Sequence, residues 1–226
     1  MAGQLEKFTI FTGPMNSGKT GSLINHLHVA QDALGYEISV FKPATDDRNG
    51  DLDKITCRNG GSWCAIPTPR LSDNSSSSLF IIDNIFRNKQ MPKPDLVGID
   101  EVQFFDRDIK DVVRYLISHQ IEVAVSGLNR DFRFEPFPAM ESLMPLADRV
   151  ETLNARCTYK NDESHICGHD ATRTQRLIDG KPASYYSPIL VIEGKGKGVK
   201  YEARCDEHWS CPDVPQSRLQ DYLNRG

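Results

Sequence analysis

The residues Gly13-Pro14-Met15-Asn16-Ser17-Gly18-Lys19-Thr20 satisfy every fixed position of the phosphate-cradling pattern G-x-x-x-x-G-K-[ST]. Glycine lets the backbone turn tightly, so several N–H groups converge on phosphate oxygens. The Lys19 ammonium suits the β- and γ-phosphates of a nucleoside triphosphate, and the Thr20 hydroxyl suits Mg²⁺. Farther on, the apolar run Leu96-Val97-Gly98-Ile99 ends on Asp100-Glu101. Such a strand brings Asp100 to Mg²⁺ and aims Glu101 beyond the γ-phosphate. Read singly, these two patterns also fit an ordinary strand-to-helix turn and an acidic strand end; together they make one site. A third group is Cys205-Asp206-Glu207-His208, whose Cys-x-x-His spacing puts a thiolate and an imidazole within reach of one tetrahedral Zn²⁺. Cys157 and Cys167, separated by nine residues, are candidates for the other two ligands, with His165 between them as a rival.

Periodicity supplies the elements that must hold these groups. Phe8-Thr9-Ile10-Phe11-Thr12 reads as a short buried strand, and Leu23, Ile24, Leu27, Ala30 and Leu34 as one helix face that stops at Gly35. A second strand over 37–41 runs into a Pro- and Asn-Gly-marked loop over 42–50. Its Asp46, Asp47 and Arg48 serve either phosphate and metal or a solvated turn. Residues 51–70 read as irregular, a segment over the site. A helix is expected over 75–87, another on the stripe Ile109, Val112, Val113, Leu116 and Ile117, and a strand over 121–125. Strands alternating with helices predict an α/β core with a parallel sheet covered on both faces. Residues 129–138 crowd three phenylalanines and two arginines into one loop, either a pocket wall for a flat ligand or an anchor on the core. Past Val150 the character changes. An apolar strand over 189–192 precedes the glycine-rich stretch 193–198, which either folds over a ligand or forms a hairpin tip, and residues 212–226 read as a tail with some helical character. The expected division is 1–150 for the phosphate-binding domain and 151–226 for a small metal-stapled domain and tail.

The chain has 226 residues, 38% hydrophobic and 26% charged, with a net charge of −4, a balance that leaves no electrostatic footprint for nucleic acid. No apolar run is long enough to span a bilayer and no signal peptide is visible, so a cytoplasmic chain is expected. Six cysteines in such a compartment argue against a disulfide framework.

Together these pieces resemble the zinc-containing thymidine kinases of the cellular and bacterial type, which many large DNA viruses and phages also carry. The resemblance runs from Phe8 to His208. It rests on residues 13–20, on Asp46-Asp47-Arg48, on Asp100-Glu101-Val102-Gln103-Phe104-Phe105, on the Gly127 to Phe137 segment, on Cys167 to Leu177 and on Tyr201 to His208. It implies a P-loop NTPase core of RecA-like type and a small zinc-stapled lasso domain. It implies that ATP lies on Gly13, Pro14, Met15, Asn16, Ser17, Gly18, Lys19 and Thr20, with Asp100, Glu101, Val102 and Gln103 completing the nucleotide site. Mg²⁺ falls to Thr20 and Asp100, and Zn²⁺ to Cys157, Cys167, Cys205 and His208. Glu101 is implied as general base on the 5′-hydroxyl of deoxythymidine, with Lys19 and Arg48 neutralising the transferred phosphoryl group. Phe104, Phe132 and Phe137 are implied as pocket walls, and Thr174 and Tyr201 as neighbours of base and sugar. The loop over about 191–201 is implied to bond the base through its backbone. The products are thymidine monophosphate and ADP, with deoxyuridine as a second acceptor, and the family implies a homotetramer without nucleic-acid or membrane partners.

The chain departs from the family pattern in three places. An insertion separates Cys157 from Cys167, the glycine-rich loop is longer, and Cys57-Arg58-Asn59-Gly60 stands where Ser-His-x-Gly is usual, with Arg58 in place of the His contact. Two other classes compete: a nucleic-acid-dependent ATPase with Asp100-Glu101-Val102-Gln103 as its acidic box, and a catalytically silent nucleotide sensor.

Overall fold

The computed structural model describes residues 6–44, 53–69, 76–88, 92–161, 165–189, 191 and 198–217. Asp46, Asp47, Arg48 and most of the loop over 191–201 therefore lie outside the described residues. Strand β1 (Phe8–Thr12) passes through the phosphate loop into α1 (Lys19–Leu34) and then β2 (Ile38–Pro43). A hairpin of β3 (Lys54–Thr56) and β4 (Ser62–Cys64) precedes β5 (Ile66–Thr68). Helix α2 (Leu79–Ile82) continues as a π-helical turn over Asp83–Arg87 into β6 (Leu96–Ile99), α3 (Ile109–Ser118), β7 (Glu122–Gly127), α4 (Pro138–Leu143) and β8 (Arg149–Thr152). Five short strands follow: β9 (Ala155–Arg156), β10 (Asp170–Ala171), β11 (Arg173–Ile178), β12 (Lys181–Pro182) and β13 (Val199–Arg204).

The main sheet runs β5-β2-β6-β7-β1-β8, every neighbouring pair parallel. Strand β7 thus separates the phosphate-loop strand β1 from the acidic strand β6. Sheets of this kind are buried on both faces, and β1 and β7 are buried along their whole length. Alternation sorts the side chains: Phe8, Ile10, Val97, Ile99, Val123 and Val125 face the α2–α3–α4 side, while Phe11, Val40, Leu96 and Ala124 face α1. Helix α1 ends where Gly35, at φ 69°, donates its N–H to Gln31 at 3.0 Å.

Four expectations change. Residues 51–70, expected to be irregular, form the β3–β4 hairpin and the edge strand β5, which pairs with β2 at Phe41↔Ile66. Pro67 is tolerated there because an edge strand has one free side, and Ile55 is driven into the α1-side core. The helix expected over 75–87 is α-helical only from Leu79; Ser76, Ser77 and Ser78 instead donate hydroxyl bonds to Asp106. Ile189 and Val191 are not in a strand; β11 pairs with β12 and β13 instead. Of the tail expected over 212–226, residues 212–217 carry no helix and 218–226 lie outside the described residues. Strand β8, paired to β1, straddles residue 150.

Leu27 is fully buried on α1, against the face where a Cβ on Gly98 would lie 3.2 Å from it. Leu27→Ala is expected to cost about 2–5 kcal/mol of stability, measured by urea unfolding.

Candidate active site and metal centre

The phosphate loop crosses from β1 to α1 with three unusual backbone positions. Gly13 has φ 145° and a Cβ there would lie 2.1 Å from the Leu153 carbonyl oxygen, so only glycine fits. Asn16 (φ 65°) and Gly18 (φ 88°) are left-handed, which turns the loop back on itself. Lys19 is buried and its Nζ donates to the Pro14 carbonyl at 2.7 Å and to Ser17 Oγ at 3.4 Å. The ammonium is thus held within the loop's own concavity.

At the carboxyl end of β6, Asp100 is buried and accepts the Thr20 hydroxyl, 3.2 Å from each carboxylate oxygen. Ser126, at the end of β7, donates to the same carboxylate. Glu101 follows at φ 51°, a left-handed conformation that a non-glycine residue adopts only when its surroundings hold it there. The holder is Gln103, whose amide nitrogen donates to the Glu101 carboxylate while its amide oxygen accepts the Leu128 N–H at 3.0 Å. A Cβ on Gly127 would lie 2.6 Å from that Gln103 oxygen and 2.9 Å from Val102, so the glycine leaves room for the brace.

These groups open onto a cavity of about 630 Å³. Its walls are residues 15–21, Lys42, residues 54–59, Asp100 and Glu101. Gly13 and Pro14 shape the loop from behind. Of the residues expected to complete the nucleotide site, Val102 and Gln103 are not in this wall: Val102 is fully buried in the core and Gln103 braces Glu101. Lys42 goes unnamed in the sequence, while Arg58 falls where the family pattern has its His contact, and both reach the cavity. Lys42 is buried and donates to the Lys54 carbonyl at 2.8 Å, and the β3–β4 hairpin brings Cys57 and Arg58 to the cavity. A lysine closing an apolar strand just before Pro43 is the signal that pointed to the first.

The residues expected around a nucleoside come from both parts of the chain, and none of them lines the cavity above. Phe104 and Phe137 meet edge to face, centroids 6.4 Å apart. Phe132 is buried to 2% exposure, and its carbonyl accepts the Trp209 indole N–H at 3.2 Å. Thr174 on β11 accepts the Met15 N–H at 3.1 Å, joining the ribbon to the phosphate loop. Tyr201 on β13 donates to the Val191 carbonyl at 2.8 Å.

Cys157, Cys167, Cys205 and His208 converge, all ligand atoms within 4.8 Å of one another. Cys167 Sγ to Cys205 Sγ is 3.9 Å, Cys157 Sγ to His208 Nδ1 is 3.9 Å, and Cys205 Sγ to His208 Nδ1 is 3.2 Å. Four ligands at zinc bond lengths of about 2.3 Å stand roughly 3.8 Å apart around a tetrahedron, so the donor set fits. The rival His165 is not part of this cluster. The His208 ring stacks on Tyr159 at 4.1 Å, which fixes its plane.

A glycine-rich phosphate loop facing an acidic strand across one intervening strand, with a buried carboxylate on the loop threonine, defines a phosphate-loop nucleotide-binding core of RecA-like type. The family model described as thymidine kinase matches residues 6–209. The chain is 37% identical to a thymidine kinase of Thermococcus kodakarensis over 204 residues, 90% of this chain and 94% of that one. It is 38% identical to a thymidine kinase of Coprothermobacter proteolyticus over 203 residues, 90% of each. It belongs to the thymidine kinase family. Among solved structures, the Pif1 helicase from Candida albicans is similar at TM-score 0.38 with 15% identity, over 66% of this chain and 36% of that one, too weak a likeness to speak to function. No helix among the described residues is long and apolar enough to cross a membrane.

Gly127→Ala is expected to destabilise by about 1–3 kcal/mol by overpacking and to lower turnover, because Gln103 must move; thermal unfolding and steady-state rates check both. The purified protein is expected to carry zinc by elemental analysis, and Cys205→Ser to lose it.

Proposed function

We propose that the protein transfers the γ-phosphate of ATP to the 5′-hydroxyl of deoxythymidine, and of deoxyuridine, giving the monophosphate and ADP for DNA synthesis by salvage. The observation that carries the reading is the placement of Glu101. Its carboxylate lines the same cavity as the phosphate loop, one residue beyond the Asp100–Thr20 contact, and Gln103 holds it. A base needs to stand within hydrogen-bond reach of the hydroxyl it deprotonates. Phosphoryl transfer through a loose transition state asks the protein mainly for positioning and charge neutralisation. In this reading residues 15–20 bind the triphosphate, Lys19 neutralises its terminal oxygens, and Arg48 assists from the loop after β2. Thr20 and Asp100 would hold Mg²⁺, which would supply positive charge against the charge developing on the transferred phosphoryl group.

Phe104, Phe132 and Phe137, with Thr174 and Tyr201, form the nucleoside side in this reading. The Met15–Thr174 bond supports it, because it ties a phosphate-loop residue to the ribbon that would hold the base. Cys157, Cys167, Cys205 and His208 hold a structural zinc. We assign residues 1–150 to a phosphate-loop kinase domain and 151–226 to a small zinc-binding lasso domain and tail, with β8 as the joint. A homotetrameric, cytoplasmic enzyme without a nucleic-acid partner completes the proposal.

The test incubates the metal-loaded protein with ATP, Mg²⁺ and each of the four deoxynucleosides plus deoxyuridine. Thymidine phosphorylation is expected, with Glu101→Gln lowering kcat by roughly 10²–10⁴-fold while ATP binding persists. Absence of any nucleoside turnover, with ATP hydrolysis stimulated by single-stranded DNA, would overturn it.

A further inference from the structure

Strand β11 sends alternate side chains to opposite sides. Thr174 reaches the phosphate loop, Gln175 turns away to exchange bonds with Ser210, and Arg176 returns to the side of Thr174. Arg176 is 1% exposed, as deep as the core phenylalanines. A buried cation is costly unless its donors are met. Its NH1 and NH2 donate to the Pro188 and Ile189 carbonyls. Its Cζ lies 3.9 Å from the centre of the Phe132 ring and 5.2 Å from that of Tyr201. Tyr201, its cross-strand partner, holds the Val191 carbonyl. Two adjacent side chains on one ribbon face thus grip three carbonyls of the chain that leaves β12. The Arg176 Nε is buried without a hydrogen-bond partner among the described residues, so the two carbonyl bonds and the ring contacts are what hold the guanidinium.

We propose that Arg176 is the positioning residue of the nucleoside pocket: its guanidinium fork fixes the Pro188–Ile189 backbone against Phe132 and Tyr201, and so sets nucleoside affinity without touching the phosphate chemistry. This rests on the kinase reading above. The fork matters more than the charge, because two carbonyls at fixed spacing need a planar pair of donors, which lysine lacks.

The experiment compares the full-length, zinc-loaded wild type with Arg176→Lys and Tyr201→Phe. KM is measured separately for thymidine and ATP, and hydrogen exchange is followed by mass spectrometry in peptides covering residues 183–189. Arg176→Lys is expected to raise the thymidine KM roughly tenfold or more, the scale of one lost charged contact. The KM for ATP and the zinc content should hold, and residues 183–189 should exchange faster. Tyr201→Phe should shift the thymidine KM in the same direction by less. An unchanged thymidine KM with unchanged exchange overturns the proposal, as does an equal change in both KM values. Should Arg176→Lys fail to fold, Tyr201→Phe decides: a selective rise in thymidine KM with faster exchange supports the clamp, and no change overturns it. Should the wild type turn over no thymidine, the kinase reading fails by itself; exchange in Arg176→Lys then judges the clamp alone, faster exchange supporting it and unchanged exchange overturning it.

Discussion

The active end of the sheet hangs on the Asp100 carboxylate. It accepts hydroxyl bonds from Thr20, at the start of α1, and from Ser126, at the end of β7. Three separate segments are thereby pinned to one buried anion at the carboxyl edge of a parallel sheet. That edge is where open α/β sheets place their ligands, because the loops diverge there. A carboxylate buried this deeply is tolerated because its oxygens have donors. The Thr20 and Ser126 hydroxyls and the Asp100 carboxylate thus put three oxygen groups from three segments at one point of that edge.

Glu101 depends on that anchor indirectly. With Asp100 fixed, the chain turns at once into a left-handed conformation, and the 3₁₀ turn over Val102–Phe104 follows. Val102 plugs the core and Gln103 reaches back to both Glu101 and Leu128. Only a glycine at 127 leaves space for that amide. The Glu101 carboxylate, its Gln103 brace and Gly127 therefore form one mechanical unit drawn from two strands. Strain at a position held this firmly is the expected signature of a functional residue rather than of a loop that wandered.

Much of this was legible in the sequence because its signals are local. Strand β1, the α1 stripe with its Gly35 stop, β6 and α3 follow directly from periodicity and end signals. The phosphate loop and acidic pair fall where their patterns put them. What escaped was set by long-range pairing. Residues 54–68 look irregular alone, and become strands only because β2 offers β5 an edge and α1 offers Ile55 a dry face. No local signal marks Arg176 as buried; its burial depends on Phe132, far earlier in the chain, packing against its guanidinium. Gln103 was read as a nucleotide neighbour, since pattern alone cannot say whether an amide faces a ligand or braces the acid beside it.

The second part of the chain poses a different physical problem. Its own buried cluster is Ala155, Cys157, Ala171, Ala203 and Cys205, with Cys167 packed against it. Alanine burial contributes little, at about 25 cal/mol per Å² of apolar surface, and two- to six-residue strands cannot hold a fold by backbone pairing alone. A small unit with so thin a core needs a staple. The cluster of Cys157, Cys167, Cys205 and His208 has the donor set for one, since metal binding in such units contributes directly to folding. The ribbon is held from the other side by the Met15–Thr174 and Phe132–Trp209 bonds. The metal cluster and the phosphate loop thus fix the same ribbon from opposite ends. Between those anchors sit Thr174, Arg176 and Tyr201, whose geometry is then inherited from both.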